Sequence, residues 1–343
     1  MDNHPYISVI IPVYNAEKFL AGCLDAISSS SFRKYELIVV DDCSTDESAK
    51  VGHDRGAKIL RMSRQSGPGG ARNLGAKNAA GEILFFVDAD VVVKPDTLER
   101  VAANFKNHPE VAAVFGSYDE EPAEQNFISQ YKNLFHRFVH QQGSTEASTF
   151  WAGCGGVRRE IFLALDGFDA ERYPRPAIED IELGYRMRQQ GHRILLDKQL
   201  QGKHLKRWTL RSMLHADIFR RAVPWSTLIL ESENMVNDLN LQTSDRISAG
   251  LVALSLLILP FSIFAPQLLL LIVGLLALVP LLNYKLYLFF FHRKGLTFAI
   301  LAFPLHLLYY LYSGVTFVLC WCRHQFVHLF GRESRPKNYE SDS

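Results

Sequence analysis

Residues 82–93, Glu82-Ile83-Leu84-Phe85-Phe86-Val87-Asp88-Ala89-Asp90-Val91-Val92-Val93, decide how this chain folds, because an apolar run ends there on two aspartates one residue apart. Ile83 to Val87 are too few for a typical helix and rich in β-forming types, so they predict a strand buried on both faces. Asp88 and Asp90 then stand at its carboxyl end, where ligands bind in an open α/β sheet. Two neighbouring carboxylates repel each other, and near low-dielectric surroundings this is costly unless a cation lies beside them. A divalent metal carrying a diphosphate suits that pattern; two solvated turn residues closing a strand are the alternative.

Upstream, Ile7 to Val13 reads as a strand ending in Pro12-Val13-Tyr14-Asn15, and Phe19, Leu20, Cys23, Leu24 and Ile27 follow at helical spacing. Tyr35 to Val40 is a second buried strand running into Asp41-Asp42-Cys43-Ser44-Thr45-Asp46. Ser44 and Glu47 form a capping-box pattern, which places the aspartates in a strand-to-helix turn. After a short strand, Ala57 to Met62, the run Ser66-Gly67-Pro68-Gly69-Gly70-Ala71-Arg72-Asn73 lets the backbone approach a ligand and opens a helix with an arginine in its first turn. This βαβαβ alternation predicts an α/β domain with a doubly wound, mostly parallel sheet flanked by helices.

Downstream, a helix is expected from Pro95 and a strand over Val111 to Phe115. Glu124 to Gln142 reads as a helix with Phe127, Tyr131, Leu134, Phe135 and Phe138 at helical spacing; Lys132, His136, Arg137 and His140 between them are expected on a solvated face, with contact to an acceptor or lipid headgroups as the alternative. Trp151-Ala152-Gly153-Cys154-Gly155-Gly156 carries small residues that leave room for a substrate. Glu179-Asp180-Ile181-Glu182-Leu183 begins a further helix, whose dipole favours acidic groups in the first turn and accounts for Glu179. The strand Arg193 to Leu196 leads to Gln201-Gly202-Lys203-His204-Leu205-Lys206-Arg207-Trp208.

The ordered set SVIIPVYNAEKFLAGCLDAI, ELIVVDDCSTD, GPGGARNLG, FFVDAD, GCGGVRRE, GFD and EDIEL resembles the family 2 glycosyltransferases, over roughly residues 7 to 208. That resemblance implies the Rossmann-like A-type nucleotide-sugar fold. It implies that Pro12, Val13 and Tyr14, with Asp41 or Asp42, hold the base of a nucleotide-diphosphate sugar donor. Arg72 is then expected near the ribose or phosphates, Asp88 and Ala89 near the ribose, and Asp90 on a magnesium or manganese ion. Asp180 would be the base of an inverting transfer, with Gly155, Gly156 and Glu179 on the acceptor side. Processive synthases of the family carry Gln-x-x-Arg-Trp where this chain has His204 in place of the glutamine. Arg207 is kept for the diphosphate and Trp208 for stacking on a sugar, processive synthesis is less favoured, and His204 is a candidate second metal ligand.

The chain has 343 residues, and its 37 Lys plus Arg balance 36 Asp plus Glu, which gives no sign of a nucleic-acid partner. Five cysteines without a Cys-x-x-Cys pair suggest neither a disulfide framework nor a zinc site. No export signal is expected at the amino terminus, in keeping with a cytosolic first domain over 1–205. Residues 206–246 read as basic, amphipathic helices in the membrane interface, with Arg211 and Arg220 among their charges. Residues 247–322 read as a membrane region of three spans, about 247–265, 267–289 and 296–322, with Lys285, Arg293 and Lys294 in a cytoplasmic loop. The polar tail, 323–343, carries Arg323, Arg332, Arg335 and Lys337, which the positive-inside rule would keep inside although three spans put it outside. The expectation is an integral membrane protein, of the inner membrane if bacterial, with a cytosolic catalytic domain. It would move a sugar to a lipid-linked or membrane-bound glycan, in contact with membrane lipids. A polyprenyl-phosphate sugar transferase and a non-catalytic nucleotide-sugar-binding protein are the alternatives.

Overall fold

The structure, a computed structural model, describes residues 4–232, 239 and 242–330. Strands β1 (Ile7–Val13), β2 (Tyr35–Asp41), β3 (Lys58–Arg61) and β4 (Ile83–Val87) alternate with helices α1 (Glu17–Ser28), α2 (Ser48–Asp54) and α3 (Gly67–Lys77). They pair in parallel in the order β3-β2-β1-β4, with Ile7 opposite Ile83 and Ile10 opposite Phe86. All five residues of β4 are buried, as a strand covered on both faces requires.

The chain continues through β5 (Val91–Val93), α4 (Thr97–Asn107), β6 (Val111–Tyr118), α5 (Phe127–Gln142), β7 (Glu146–Ala147), β8 (Cys154–Arg158), α6 (Arg159–Ala164), α7 (Glu179–Gln189) and β9 (Arg193–His204). These complete a mixed sheet ordered β3-β2-β1-β4-β8-β6-β9-β5, with β7 beside β9. Strand β8 runs antiparallel between β4 and β6, and β5 pairs antiparallel with the end of β9. Alternation along β1 splits the core into two layers. Ile7, Val9 and Ile11 pack with α1 and α4, whereas Ile10 packs with Ile38, Val40 and residues of α3, α6 and α7.

Beyond β9 come α8 (Leu210–Asp217), a π-helical turn (Ile218–Ala222), α9 (Val223–Ser232), α10 (Thr243–Ile258) running into a 3-10 turn (Leu259–Ile263), α11 (Leu268–Leu282) and α12 (Tyr284–Phe330). Two stretches, Thr243–Ile263 and Tyr284–Leu329, are long and apolar enough to cross a membrane; α11 is shorter. The apolar stripe of α5 joins this region to the sheet domain: Tyr131, Leu134 and Phe135 cluster with Leu286, Phe290 and Ala302 of α12.

Several local expectations are corrected. Ser44 caps no helix: its Oγ accepts the Asn15 N–H, and α2 begins at Ser48, beside Asp46. Arg72 lies in the second turn of α3, and the glycines before it are packed: a Cβ on Gly67 would meet Pro174 O at 2.7 Å, and one on Gly70 would meet Ser66 Cβ at 2.7 Å. Pro95 precedes α4 rather than joining it. Lys285, Arg293 and Lys294 are helical, because charge alone does not break a helix. The breaks fall at Asn283, whose amide donates to Val279 O and Ser248 Oγ, and at Gly295, whose φ of 83° only glycine adopts readily. Arg323 lies on α12, while Arg332, Arg335 and Lys337 lie outside the described residues.

Candidate active site

A cavity of about 500 Å³ opens at the carboxyl end of β4. Its walls bring together Pro12 and Tyr14 after β1, Arg72 of α3, Asp88, Ala89 and Asp90 after β4, Glu179 and Asp180 at the start of α7, and His204, Lys206 and Trp208 after β9. The sheet creates this convergence, since β1, β4 and β8 are neighbours and β9 returns antiparallel to β5.

Arg72, 4% exposed, organises one side. Its Nη2 donates to Asp88 Oδ1 at 2.6 Å and its Nη1 to Glu179 Oε1 at 3.2 Å. Its buried Nε has no hydrogen-bond partner among the described residues. Asp180 is half-buried beside them, accepting the Ala152 N–H at 3.0 Å. Burial, reinforced by the negative charge of Glu179 and opposed by the Ala152 N–H and Arg72, pushes the Asp180 carboxyl up to about 7.

Asp90 and His204 form the other side, with His204 Nε2 3.4 Å from Asp90 Oδ2. The imidazole is stacked on Tyr118 (centroids 4.4 Å apart, planes 9° apart) and bonded through Nδ1 to Asn133 Oδ1 at 2.6 Å. Because the Asn133 amide nitrogen donates to Ser129 O, its oxygen faces the ring, so Nδ1 is assigned as the donor and Nε2 is turned toward Asp90. An oxygen and an imidazole nitrogen oriented in this way fit a divalent cation, with the Asn133 amide oxygen holding the imidazole as ligating histidines are held. Among the described residues no group of three His, Cys, Asp or Glu side chains forms a fuller cage, so water and substrate oxygens would supply the remaining ligands.

Other expected residues do not reach the cavity. Val13 is buried in β1. Asp41 accepts the Ser44 N–H at 2.8 Å, and Asp42 accepts those of Ser66 and Gly67, both at 2.8 Å, so both carboxylates satisfy backbone groups instead. Gly155 and Gly156 leave no room for a substrate: a Cβ on the first would meet Trp151 O at 2.4 Å, and on the second the Phe105 ring at 3.0 Å. The small residue on the cavity wall is Gly153. Arg207 points outward, its side chain 71% exposed and 3.9 Å from Glu124. Trp208 lines the cavity but is only 6% exposed, with Lys206 Nζ 4.4 Å from its ring centroid.

The wall also holds residues not expected among the donor-binding groups. Lys206 takes the place expected for Arg207, and Arg220 and Arg221 join it from the π-helical turn, where the altered winding re-aims side chains. The face of α5 expected in solvent is enclosed. His136 and His140 line the cavity, their rings 4.1 Å apart and against Trp151, while Lys132 is ion-paired with Asp217. Burial, with positive neighbours adding to it, holds His136 well below the usual imidazole range. The i, i+4 spacing of these histidines was a visible signal, but their packing against Tyr118 of β6 and Trp151 was not.

The family model described as Glycosyl transferase family 2 matches residues 8–165. Poly(ribitol-phosphate) beta-N-acetylglucosaminyltransferase TarS of Staphylococcus aureus is 38% identical over 108 residues, 29% of this chain and 19% of that protein. Glycosyltransferase GlyG of Streptococcus pneumoniae is 29% identical over 126 residues, 35% of this chain and 42% of that one. The chain therefore spans less than half the length of these curated relatives. The solved structure of mannosyltransferase PcManGT from Pyrobaculum calidifontis, in complex with GDP-Man and Mn2+, superposes with a TM-score of 0.55 at 18% identity, covering 96% of this chain and 88% of that one, and shows the shared fold. Residues 8–165, which carry Arg72 and the Asp88–Asp90 pair, are a glycosyl transferase family 2 domain built on the A-type nucleotide-sugar fold.

Proposed function

We propose that this protein is a membrane-anchored, inverting glycosyltransferase that moves a sugar from a nucleotide-diphosphate sugar to a hydroxyl of a lipid-linked or membrane-bound saccharide. The observation that carries the reading is that Asp180, raised to about 7, and the Asp90–His204 pair face one cavity, whose other walls include Arg72 and Asp88 of the family 2 domain. A sugar hydroxyl is a poor nucleophile until its proton leaves, and a base is most effective when its pKa lies near the working pH. Asp180 takes that proton as the hydroxyl oxygen bonds to the anomeric carbon. The bond from that carbon to the donor phosphate breaks, its electron pair leaves with the nucleoside diphosphate, and the configuration inverts. Lys206 and Arg220 supply positive charge beside the diphosphate, and Arg72 holds Asp88 and Glu179 in place. Asp90 and His204 would hold a magnesium or manganese ion, whose charge, when bound, offsets the charge gathering on the leaving group.

The apolar stretches Thr243–Ile263 and Tyr284–Leu329 support an anchor in the membrane, with the sheet domain on the cytosolic side where nucleotide sugars are made. Incubating membranes that contain the protein with a panel of labelled nucleotide sugars tests the reading. Label should enter the lipid extract or a membrane-bound glycan for one donor. Release of label only as free sugar, or no turnover of any donor, would reject it.

A further inference from the structure

A second cavity, about 370 Å³, lies between α5, the π-helical turn with α9, α10 and α12. It meets the catalytic cavity at His136, His140, Arg221 and Trp225, which line both. Its walls are mostly apolar, with Phe135, Val139, Ile229, Ala249, Tyr309 and Phe317 among them. Helices α10 and α12 belong to the stretches long enough to cross a membrane, so the chamber sits where the sheet domain meets the anchor.

Its lining includes the charged residues Lys132, Arg221, Arg246, Asp217 and Asp245. Asp217 is heavily engaged: it is ion-paired with Lys132, accepts the Tyr312 hydroxyl at 2.8 Å and lies 3.5 Å from Arg221. Asp245 accepts the Tyr310 hydroxyl at 2.9 Å. Arg221 stands at the neck with its side chain 44% exposed, a cation between an apolar chamber and a cavity that holds a candidate base. Apolar walls with a cationic mouth match an anionic amphiphile. The chamber is near the small end of ligand pockets, roughly 300–1,000 Å³, which suits one hydrocarbon chain rather than two.

We infer, resting on the glycosyltransferase reading above, that this chamber seats the hydrocarbon chain of a single-chain, polyprenyl-type lipid diphosphate bearing the acceptor saccharide. The phosphate lies beside Arg221 and the saccharide passes through the neck toward Asp180.

The test uses the full chain in phosphatidylcholine nanodiscs and a photoreactive geranylgeranyl diphosphate. Crosslinks should map to α5, α9, α10 and α12, and Ala249→Trp, which fills the chamber, should lower labelling about tenfold. Gly314→Leu is the second variant, since a Cβ there meets only Ala249 Cβ, at 4.0 Å. Binding of the labelled nucleotide sugar should stay unchanged in both, which also reports that they are folded. Arg221→Gln should weaken labelling in the same assay. Labelling elsewhere, undiminished labelling in both filled variants, or equal competition by the two-chain lipid phosphatidic acid would overturn the chamber assignment and leave the glycosyltransferase reading standing. A wild type that takes the probe in the chamber but binds and turns over no nucleotide sugar would overturn that reading instead.

Discussion

Arg72 and Glu179, 107 positions apart in the chain, are ion-paired at the ligand end of the sheet, Nη1 to Oε1 at 3.2 Å, and both are almost fully buried. The pair joins α3 to α7 and sets Glu179 beside Asp180. Removing one partner leaves a buried charge uncompensated, which typically costs about 3–5 kcal/mol. Arg72→Met should therefore lower the thermal midpoint of the detergent-solubilised protein markedly. The double variant Arg72→Met with Glu179→Leu should lose less than the sum of the two single variants. Additive losses would show that the two groups do not act as a pair.

The raised Asp180 carboxyl sets a pH dependence. Below about 7 it is protonated and cannot accept a proton, so kcat/KM should rise with pH through about 7 and then level. Glu179→Gln removes a negative neighbour that helps raise it, so the same limb should move to lower pH. Asp180→Asn should cut turnover by about 10²–10⁴ with donor binding retained. Unchanged turnover would point to an acceptor phosphate, which needs no base.

Lys206 faces the cavity and Arg207 faces solvent, and this separates two neighbouring substitutions. Lys206→Ala should raise the donor KM about 10–100-fold, the loss of one charge-assisted hydrogen bond. Arg207→Ala should change it by less than about fivefold, since exposed ion pairs contribute roughly 0–1 kcal/mol. Steady-state kinetics over a donor series decides between them, and the reverse order would return the diphosphate to Arg207.

Asp90 and His204 are expected to act together on a divalent ion. Asp90→Ala should lower transfer by at least about 10²-fold, or nearly 3 kcal/mol in the barrier. His204→Gln should raise the magnesium or manganese concentration needed for half-maximal transfer by about 10–100-fold. Isothermal titration with manganese offers a readout independent of transfer. Full activity of the wild type in excess chelator would remove the ion from the mechanism.

Gly155 supports the wall without contacting what the cavity holds. Gly155→Ala drives a methyl group toward Trp151 O and the Phe150 ring, overpacking that costs about 1–3 kcal/mol. Stability should fall in a thermal melt while the acceptor KM of the folded protein stays constant. A raised KM at unchanged stability would restore the glycine to the acceptor site.

What this sequence determined by itself is the part written in short-range pattern. The apolar run of β4, the strands before it, the acidic turn after it and the helix opening at Glu179 are legible because burial and periodicity act on neighbouring residues. The placement of Arg72, Asp90, Asp180 and His204 around one cavity follows once those strands are neighbours. Only the tertiary structure decided which side chains face that cavity. Asp41 ends β2 and Asp42 opens the turn after it, yet nearby backbone N–H groups already hold their carboxylates. Past the end of β9, His204, Lys206 and Trp208 line the cavity in alternation, so Lys206 and not Arg207 turns inward. His136 and His140 stand on what a helical wheel marks as a solvated face, yet one is half-buried and the other buried, because they pack on Tyr118 and Trp151 and His140 Nδ1 bonds to Gly116 O of β6. Local pattern specifies an element and its apolar face; what covers the polar face is set by partners distant in the chain, which no periodicity within that element records.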